Sequence, residues 1–103
     1  MSDLTPLDAL RNLEKLYKQG FRDSVTDAAL IRIASSQAAR DRSVLNDLER
    51  DLQEMEKRYQ MSSAEFFQRW KSGDLPDTAD FMDWNAIYQM ATEIRHRLEM
   101  LQG

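Results

Sequence analysis

The segment from Ser24 to Ser62 contains neither glycine nor proline, the two residues that most often interrupt a helix. Within it, apolar residues recur in alternating steps of three and four, which is the spacing of a heptad seam. These residues are Leu45, Leu48, Leu52, Met55 and Tyr59. The sequence therefore predicts one long amphipathic helix. Extended backwards, the seam meets Asp41 in a polar stretch, which leaves open whether the helix kinks or breaks there.

The few glycines and prolines lie at positions where a helix should start or stop. Thr5 and Pro6 are typical of a helix start, and Gly20 is typical of a helix end. Ser62 begins a capping box for a third helix, which Gly73 ends. We therefore predict four helices, at about residues 5–19, 25–60, 62–72 and 78–102.

The fourth predicted helix carries a second heptad seam, formed by Trp84, Ile87, Ala91, Ile94, Leu98 and Leu101. Two seams on two long helices predict an all-α fold, with a single domain over residues 1–103 that forms an elongated helical bundle with coiled-coil-like packing. We expect the protein to be a homodimer, with the two seams holding together either the bundle or the dimer. The residues assigned to that role are Leu45, Leu48, Leu52, Met55, Tyr59, Ile87, Ile94, Leu98 and Leu101.

Composition narrows the classes of function. The chain has no cysteine and one histidine, which excludes a disulfide framework and thiolate or histidine-rich metal sites. A net charge of -4 argues against a general nucleic-acid binder. No apolar run approaches the roughly 20 residues of a membrane span, and the N-terminus does not resemble a secretory signal. We expect a cytoplasmic protein with no metal and no cofactor.

Seven of the nine aromatic residues lie between Tyr59 and Tyr88. The favoured interpretation is a core, formed where the third and fourth helices fold back on the second. The alternative is a binding surface. Phe66 and Phe67 are adjacent and point about 100° apart, so with Trp70 they form a face wider than one neighbouring helix needs. One of these residues would then be an exposed anchor, as aromatic residues often are at binding hot spots.

Acidic residues recur every third position at Asp74, Asp77, Asp80 and Asp83, and no basic residue lies between Lys71 and Arg95 to neutralise them. The start of the fourth helix explains most of this pattern, because its dipole favours negative charge. The spacing does not match an EF-hand calcium loop. An acidic edge flanked by aromatics would also suit a basic partner surface, such as the nucleic-acid-binding cleft of a nuclease.

The only local basic clusters are formed by Arg40 and Arg42, and by Arg95, His96 and Arg97. A solvated helix face with ion pairs is favoured over a phosphate-binding site. A lone histidine without a cysteine, a second histidine or a glycine-rich loop does not make a catalytic site. We therefore predict a protein that is not an enzyme.

A resemblance to a known class of proteins runs from Tyr59 to Tyr88. The order Tyr59, Met61-Ser62-Ser63, Glu65-Phe66, Gly73-Asp74-Leu75, Asp80-Phe81, Trp84 and Tyr88 resembles a segment common to small helical proteins of prokaryotic toxin–antitoxin gene pairs. The resemblance implies an antitoxin-type protein, commonly dimeric, that binds and silences a cognate toxin, often an RNA-targeting one. Pro76 departs from the pattern. Nothing resembles the DNA-binding half of a classical antitoxin, so the resemblance does not extend to operator binding.

These observations combine into one main hypothesis and two alternatives. The main hypothesis is an antitoxin-like module that binds a toxin encoded by the adjacent gene. The expected partner-binding residues are Phe66, Phe67, Trp70, Leu75, Asp77, Asp80, Phe81 and Trp84. The first alternative is a homodimeric helical scaffold or adaptor. The second is a weak nucleic-acid-binding regulator.

Overall fold

The computed structural model of the protein describes residues 3–103 and contains four helices. They are α1 (Pro6–Lys18), α2 (Ser24–Tyr59), α3 (Ser63–Lys71) and α4 (Ala79–Gln102). No strand occurs within the described residues. The predicted all-α fold with two long and two shorter helices is confirmed. The 36-residue helix α2 runs through Asp41 without a break.

By its internal contacts the chain divides into two compact units, residues 1–33 and residues 34–103. The first unit contains α1 and the beginning of α2, and the second contains the remainder of α2 with α3 and α4. The prediction of a single domain over residues 1–103 stays a prediction.

In the first unit, the ends of α1 have the caps that the sequence predicts. Thr5 and Asp8 form a capping box, in which the Asp8 N–H donates to Thr5 Oγ1 at 3.1 Å and the Thr5 N–H donates to Asp8 Oδ2 at 3.3 Å. At the other end Gly20 adopts a positive φ of 97°, and the Phe21 N–H donates to the Leu16 carbonyl at 3.1 Å. This is a Schellman motif.

The second unit is built around a stacked pair of aromatic rings. The rings of Phe66 from α3 and Trp84 from α4 are fully buried, with centroids 4.0 Å apart and planes inclined by 6°. The Trp84 indole N–H donates to Ser63 Oγ at 2.9 Å, and the Ser63 backbone N–H donates to Glu56 Oε2 at 2.8 Å. Ser63, at the start of α3, therefore links α4 to α2.

Two contacts between α2 and α4 define the direction in which these helices pack. Arg97 binds Asp41 at one end of the pair, and Asp80 binds Arg58 at the other. Because the residue number rises along α2 while it falls along α4, the two helices are antiparallel. The core follows their contact line, with Ala38, Leu45, Leu52, Phe66, Phe81, Trp84, Ala91 and Leu98 buried.

The turn between α2 and α3 contains a residue in an unfavourable conformation. Gln60 adopts a φ of 54°, and it is the only residue other than glycine with a positive φ in residues 3–103. The Met61 N–H donates to the Glu56 carbonyl at 3.3 Å, so Gln60 occupies the position that glycine takes at the other two Schellman-type helix ends, Gly20 and Gly73. Its side chain compensates in part, because Nε2 donates to the Lys57 carbonyl at 2.7 Å.

We predict that Gln60→Gly stabilises the protein by about 0.5–1 kcal/mol, since glycine adopts this conformation without the clash of a Cβ atom. Urea unfolding followed by circular dichroism measures the free energy of unfolding. Gln60→Ala is the control. It keeps the Cβ atom and loses the side-chain hydrogen bond, so it should be no more stable than the native protein. A Gln60→Gly variant less stable than Gln60→Ala would contradict the prediction.

Candidate protein-interaction site

Three of the eight predicted partner-binding residues are core residues. Phe66 and Trp84 are 0% exposed and Phe81 is 8% exposed. The Phe81 ring packs at 4.9 Å from Tyr59 and at 5.4 Å from Phe66, measured between ring centroids. These three residues are part of the core, which is the interpretation that the aromatic pattern favoured. They can support a binding surface, but in this conformation they do not form one.

The other predicted apolar residues lie at the edge of this core. Phe67, Trp70 and Leu75 are half-buried and pack against it. The ring of Phe67 lies 4.8 Å from that of Tyr88, and Lys71 Nζ lies 4.9 Å above it. A shallow groove of about 380 Å³ beside these two rings has a mixed polar and aromatic lining. Phe67 is therefore the partly exposed member of the adjacent pair, while Phe66 is the buried one.

Asp77 and Asp80 differ in their surroundings. Asp77 is exposed, as expected for a surface contact. Asp80 is half-buried and accepts hydrogen bonds from Tyr59 Oη and, at 2.9 Å, from Arg58 Nη1. These bonds from Tyr59 and Arg58 lower the pKa of the Asp80 carboxyl. The expectation that no cation neutralises Asp80 is wrong, because Arg58 reaches it from α2.

All nine predicted seam residues contribute to the interior of the second unit. Leu45, Leu52 and Leu98 are buried, and the other six are partly buried and pack against them. The half-buried members are Leu48, Met55, Tyr59, Ile87, Ile94 and Leu101. The seams are therefore used within the chain, and their half-buried members lie at the edge of the core.

An open groove between α2 and α4 exposes part of this edge. We call it the acidic groove and define it by the apolar residues Met55, Ile87 and Met90 together with the carboxylates of Asp51, Glu54 and Asp83. Its volume is about 330 Å³. Within residues 3–103 none of these three carboxylates forms an ion pair. The groove thus combines an apolar floor with unpaired negative charge.

Most of the exposed large apolar side chains lie in the first unit, where the sequence did not lead us to expect them. Twelve large apolar side chains are exposed within residues 3–103, and eight of them lie between Leu4 and Ile33. No side chain of α1 is buried, and Leu7 and Leu10 are more than half exposed. The leucine stripe of α1 was the available signal. It shows an apolar face but not whether anything in the same chain covers that face.

A second feature that the sequence did not reveal is the pairing of Asp41. This carboxylate is 3% exposed and receives two hydrogen bonds from Arg97, at 2.7 and 2.8 Å, and one from Gln37 at 3.0 Å. The bonds from Arg97 hold the pKa of Asp41 below its usual range, although burial acts in the opposite direction. The interruption of the seam at Asp41 is therefore a buried carboxylate that is paired with a half-exposed arginine.

Several of the basic residues considered for phosphate binding instead contact groups within the chain. Arg97 is bound to Asp41, Arg95 lies 3.8 Å from Glu49, and Arg40 donates to Ser36 and Gln37. This is the arrangement of a helix face with ion pairs, which the sequence favoured. Because Arg97 is committed to a buried carboxylate, fewer cations are left to contact a nucleic acid.

Within residues 3–103 no group of three or more acidic or histidine side chains is arranged to hold a metal ion. None of the helices in that range has the length and apolarity needed to cross a bilayer. Comparisons with known protein families, with characterised proteins and with solved structures find no match to this chain.

We predict that Arg97→Leu lowers the melting temperature by several degrees at pH 7, and by more than Asp41→Asn does. Arg97→Leu leaves a buried carboxylate without its cation, whereas Asp41→Asn leaves an arginine that is half exposed to water. Thermal unfolding at pH 7 and pH 3 tests this. Arg95→Leu is the control, since Arg95 and Glu49 are both exposed to a similar extent, and it should change little.

The pH dependence follows from the lowered pKa of Asp41. A carboxylate with a lower pKa in the folded state stabilises the protein above its unfolded pKa of about 3.9, and this contribution is lost as the pH falls through the folded pKa. The native protein should lose stability below about pH 4. In Arg97→Leu, protonation relieves the buried charge, so its deficit should shrink towards pH 3. An equal deficit at both pH values would contradict this account.

Proposed function

We propose that the protein is a non-enzymatic protein-binding module of the antitoxin type, which binds and neutralises a cognate toxin. The observation that carries the proposal is the acidic groove, because an apolar groove between two helices is a common receptor for a segment of another protein. A cytoplasmic location belongs to the same proposal, since an RNA-targeting toxin acts there.

The charge distribution supports a basic partner. Residues 34–103 carry thirteen acidic and nine basic side chains, whereas residues 1–33 carry five of each. The whole net charge of -4 therefore belongs to the unit that contains the groove. Complementary potentials accelerate encounter and select between partners, so a basic protein fits this surface better than an acidic one. An enzyme that acts on RNA needs a basic surface of its own.

The segment that resembles antitoxin-type proteins lies in the same unit. Residues 59–88 include all of α3 and the beginning of α4. In this interpretation their aromatic residues have two roles. The buried rings of Phe66, Phe81 and Trp84 support the surface, and the half-buried side chains of Phe67 and Trp70 remain candidate contacts at its edge. Leu75 and Asp77 stay candidates beside them.

We predict that the protein copurifies with the product of the adjacent gene and restores growth to cells in which that product is toxic. Asp83→Lys should weaken both effects, because it reverses one of the unpaired charges of the groove. Glu99→Lys makes the same charge change on the same helix outside the groove and should behave as the native protein. If the product of the adjacent gene can be purified by itself, but neither copurifies with this protein nor is neutralised by it, the antitoxin proposal is rejected.

A homodimeric scaffold or adaptor is the second candidate, and a different observation favours it. Two leucines of α1, Leu7 and Leu10, lie three residues apart on neighbouring positions of the helix surface and are 55% and 58% exposed. Leu4, just before the helix, is 60% exposed and adds to this exposed apolar surface. Exposed apolar surface of this kind is typical of interaction sites. The equal numbers of acidic and basic residues in this unit would not oppose self-association.

We predict that light scattering at micromolar concentration gives the mass of a dimer, and that the double variant Leu7→Glu with Leu10→Glu gives the mass of a monomer. Introducing carboxylates into a shared apolar surface is costly, since each would be buried without a partner. Met100→Glu is the control, because Met100 is 73% exposed and lies in the other unit. A monomeric native protein would count against the scaffold.

A further inference from the structure

The acidic groove lies between a row of residues on α2 and a row of residues on α4. On α2 the residues Val44, Leu48, Asp51, Met55 and Arg58 follow each other in steps of four and three, and on α4 so do Asp83, Ile87, Met90 and Ile94. This spacing keeps each row on one side of its helix. The two rows line the groove from Asp51 to Arg58 and from Asp83 to Met90. The heptad spacing continues them to Val44 and Ile94, and we call the whole double row the trough.

The trough is open because α3 covers the opposite side of the α2–α4 pair. There α3 packs against the side that carries Glu56, Trp84 and Tyr88. On the open side the apolar residues remain accessible. Leu48, Met55, Ile87 and Ile94 are only partly buried, and Val44 and Met90 are 48% and 46% exposed. Within residues 34–103 no helix covers the open side.

The charges along the trough indicate the chemistry of that helix. Asp51, Glu54 and Asp83 form no ion pair within residues 3–103, and the one cation in the lining, Arg58, is bound to Asp80. A second copy of this chain docked groove to groove would place the same unpaired carboxylates against each other. A helix with lysine or arginine beside its apolar stripe would instead neutralise them.

We propose that the acidic groove binds an amphipathic helix of a partner protein, with an apolar stripe flanked by basic residues. On α2 the groove runs from Asp51 to Arg58, roughly 10 Å, and the row of residues that continues to Val44 brings the length to roughly 21 Å. The bound segment would therefore be about two to four helical turns long. Met55 and Met90 suit such a role, because the flexible methionine side chain adapts to differently shaped apolar surfaces. The inference rests on the proposed protein-binding function and specifies the part of the partner that is bound.

The test uses the full chain and two synthetic peptides of 18 residues that form amphipathic helices. Both have leucine at heptad positions; one has lysine at the flanking positions and the other has glutamate. Fluorescence anisotropy should give a micromolar Kd for the lysine peptide and binding at least tenfold weaker for the glutamate peptide. The affinity of the lysine peptide should fall with rising salt concentration, since exposed charge pairs are screened.

Variants locate the binding site. Met90→Lys should weaken binding of the lysine peptide about tenfold, because it adds a like charge to the floor of the groove. Met82→Lys makes the same change on the same helix at a more exposed methionine outside the groove, and it should leave the Kd unchanged. Asp83→Lys is a second groove variant, which reverses one charge without altering the apolar floor, and it should also weaken binding of the lysine peptide. Circular dichroism verifies that each variant is folded.

Three results would overturn the inference. The two peptides could bind equally, Met90→Lys and Met82→Lys could have equal effects, or Met90→Lys could convert a native dimer into a monomer, which would identify a second copy as the occupant. The test is separate from the antitoxin proposal. Groove-dependent binding of the lysine peptide, without copurification of the neighbouring gene's product, would support the inference and reject that proposal. Copurification of that product, unchanged by Met90→Lys, would support the antitoxin proposal and reject the inference about the acidic groove.

Discussion

The arrangement of the second unit depends on the stack of Trp84 on Phe66 and on the hydrogen bond that accompanies it. A buried indole N–H must find an acceptor, and here the acceptor is the hydroxyl of Ser63, whose own backbone N–H donates to Glu56. Three helices are thereby joined at one point. Because this contact holds α3 on one side of the α2–α4 pair, the acidic groove on the other side stays open. The core and the candidate binding surface are consequences of the same contact.

The carboxylates on α2 and α4 described above fall into two groups, those paired with an arginine and those without a cation. Asp41 and Asp80 are removed from water, wholly or in part, and each is bound by an arginine from the facing helix. Asp51, Glu54 and Asp83 remain beside an apolar floor with no cation. A buried charge without a partner is costly, so Asp41 in particular requires its arginine. The free carboxylates have no such partner within residues 3–103, and the proposed recognition of a basic helix would use them.

Much of the local structure could be predicted because its causes are local. Caps, glycines and prolines placed every helix boundary within one residue of its observed position. Heptad spacing identified the residues that face the interior, but it could not tell which edge of a seam another helix covers. The edge that α3 covers is determined by the contact between Ser63 and Trp84, which are 21 residues apart in the sequence. The binding of Asp80 by Arg58 was missed for the same reason, since it requires the register between two helices. Of the expected partner-binding residues, those at the heart of the aromatic cluster proved to be core.

The two ion pairs between α2 and α4 also discriminate among ways of aligning these helices. Asp41 precedes Arg58 by seventeen residues on α2, and Asp80 precedes Arg97 by seventeen residues on α4. In the antiparallel orientation each carboxylate meets a guanidinium. A parallel orientation would bring like charges together at both ends, and a slip by one heptad would place the carboxylate of Asp41 opposite Met90. The charge order therefore encodes orientation and register at once, which protects a bundle with repetitive apolar seams from stable misaligned forms.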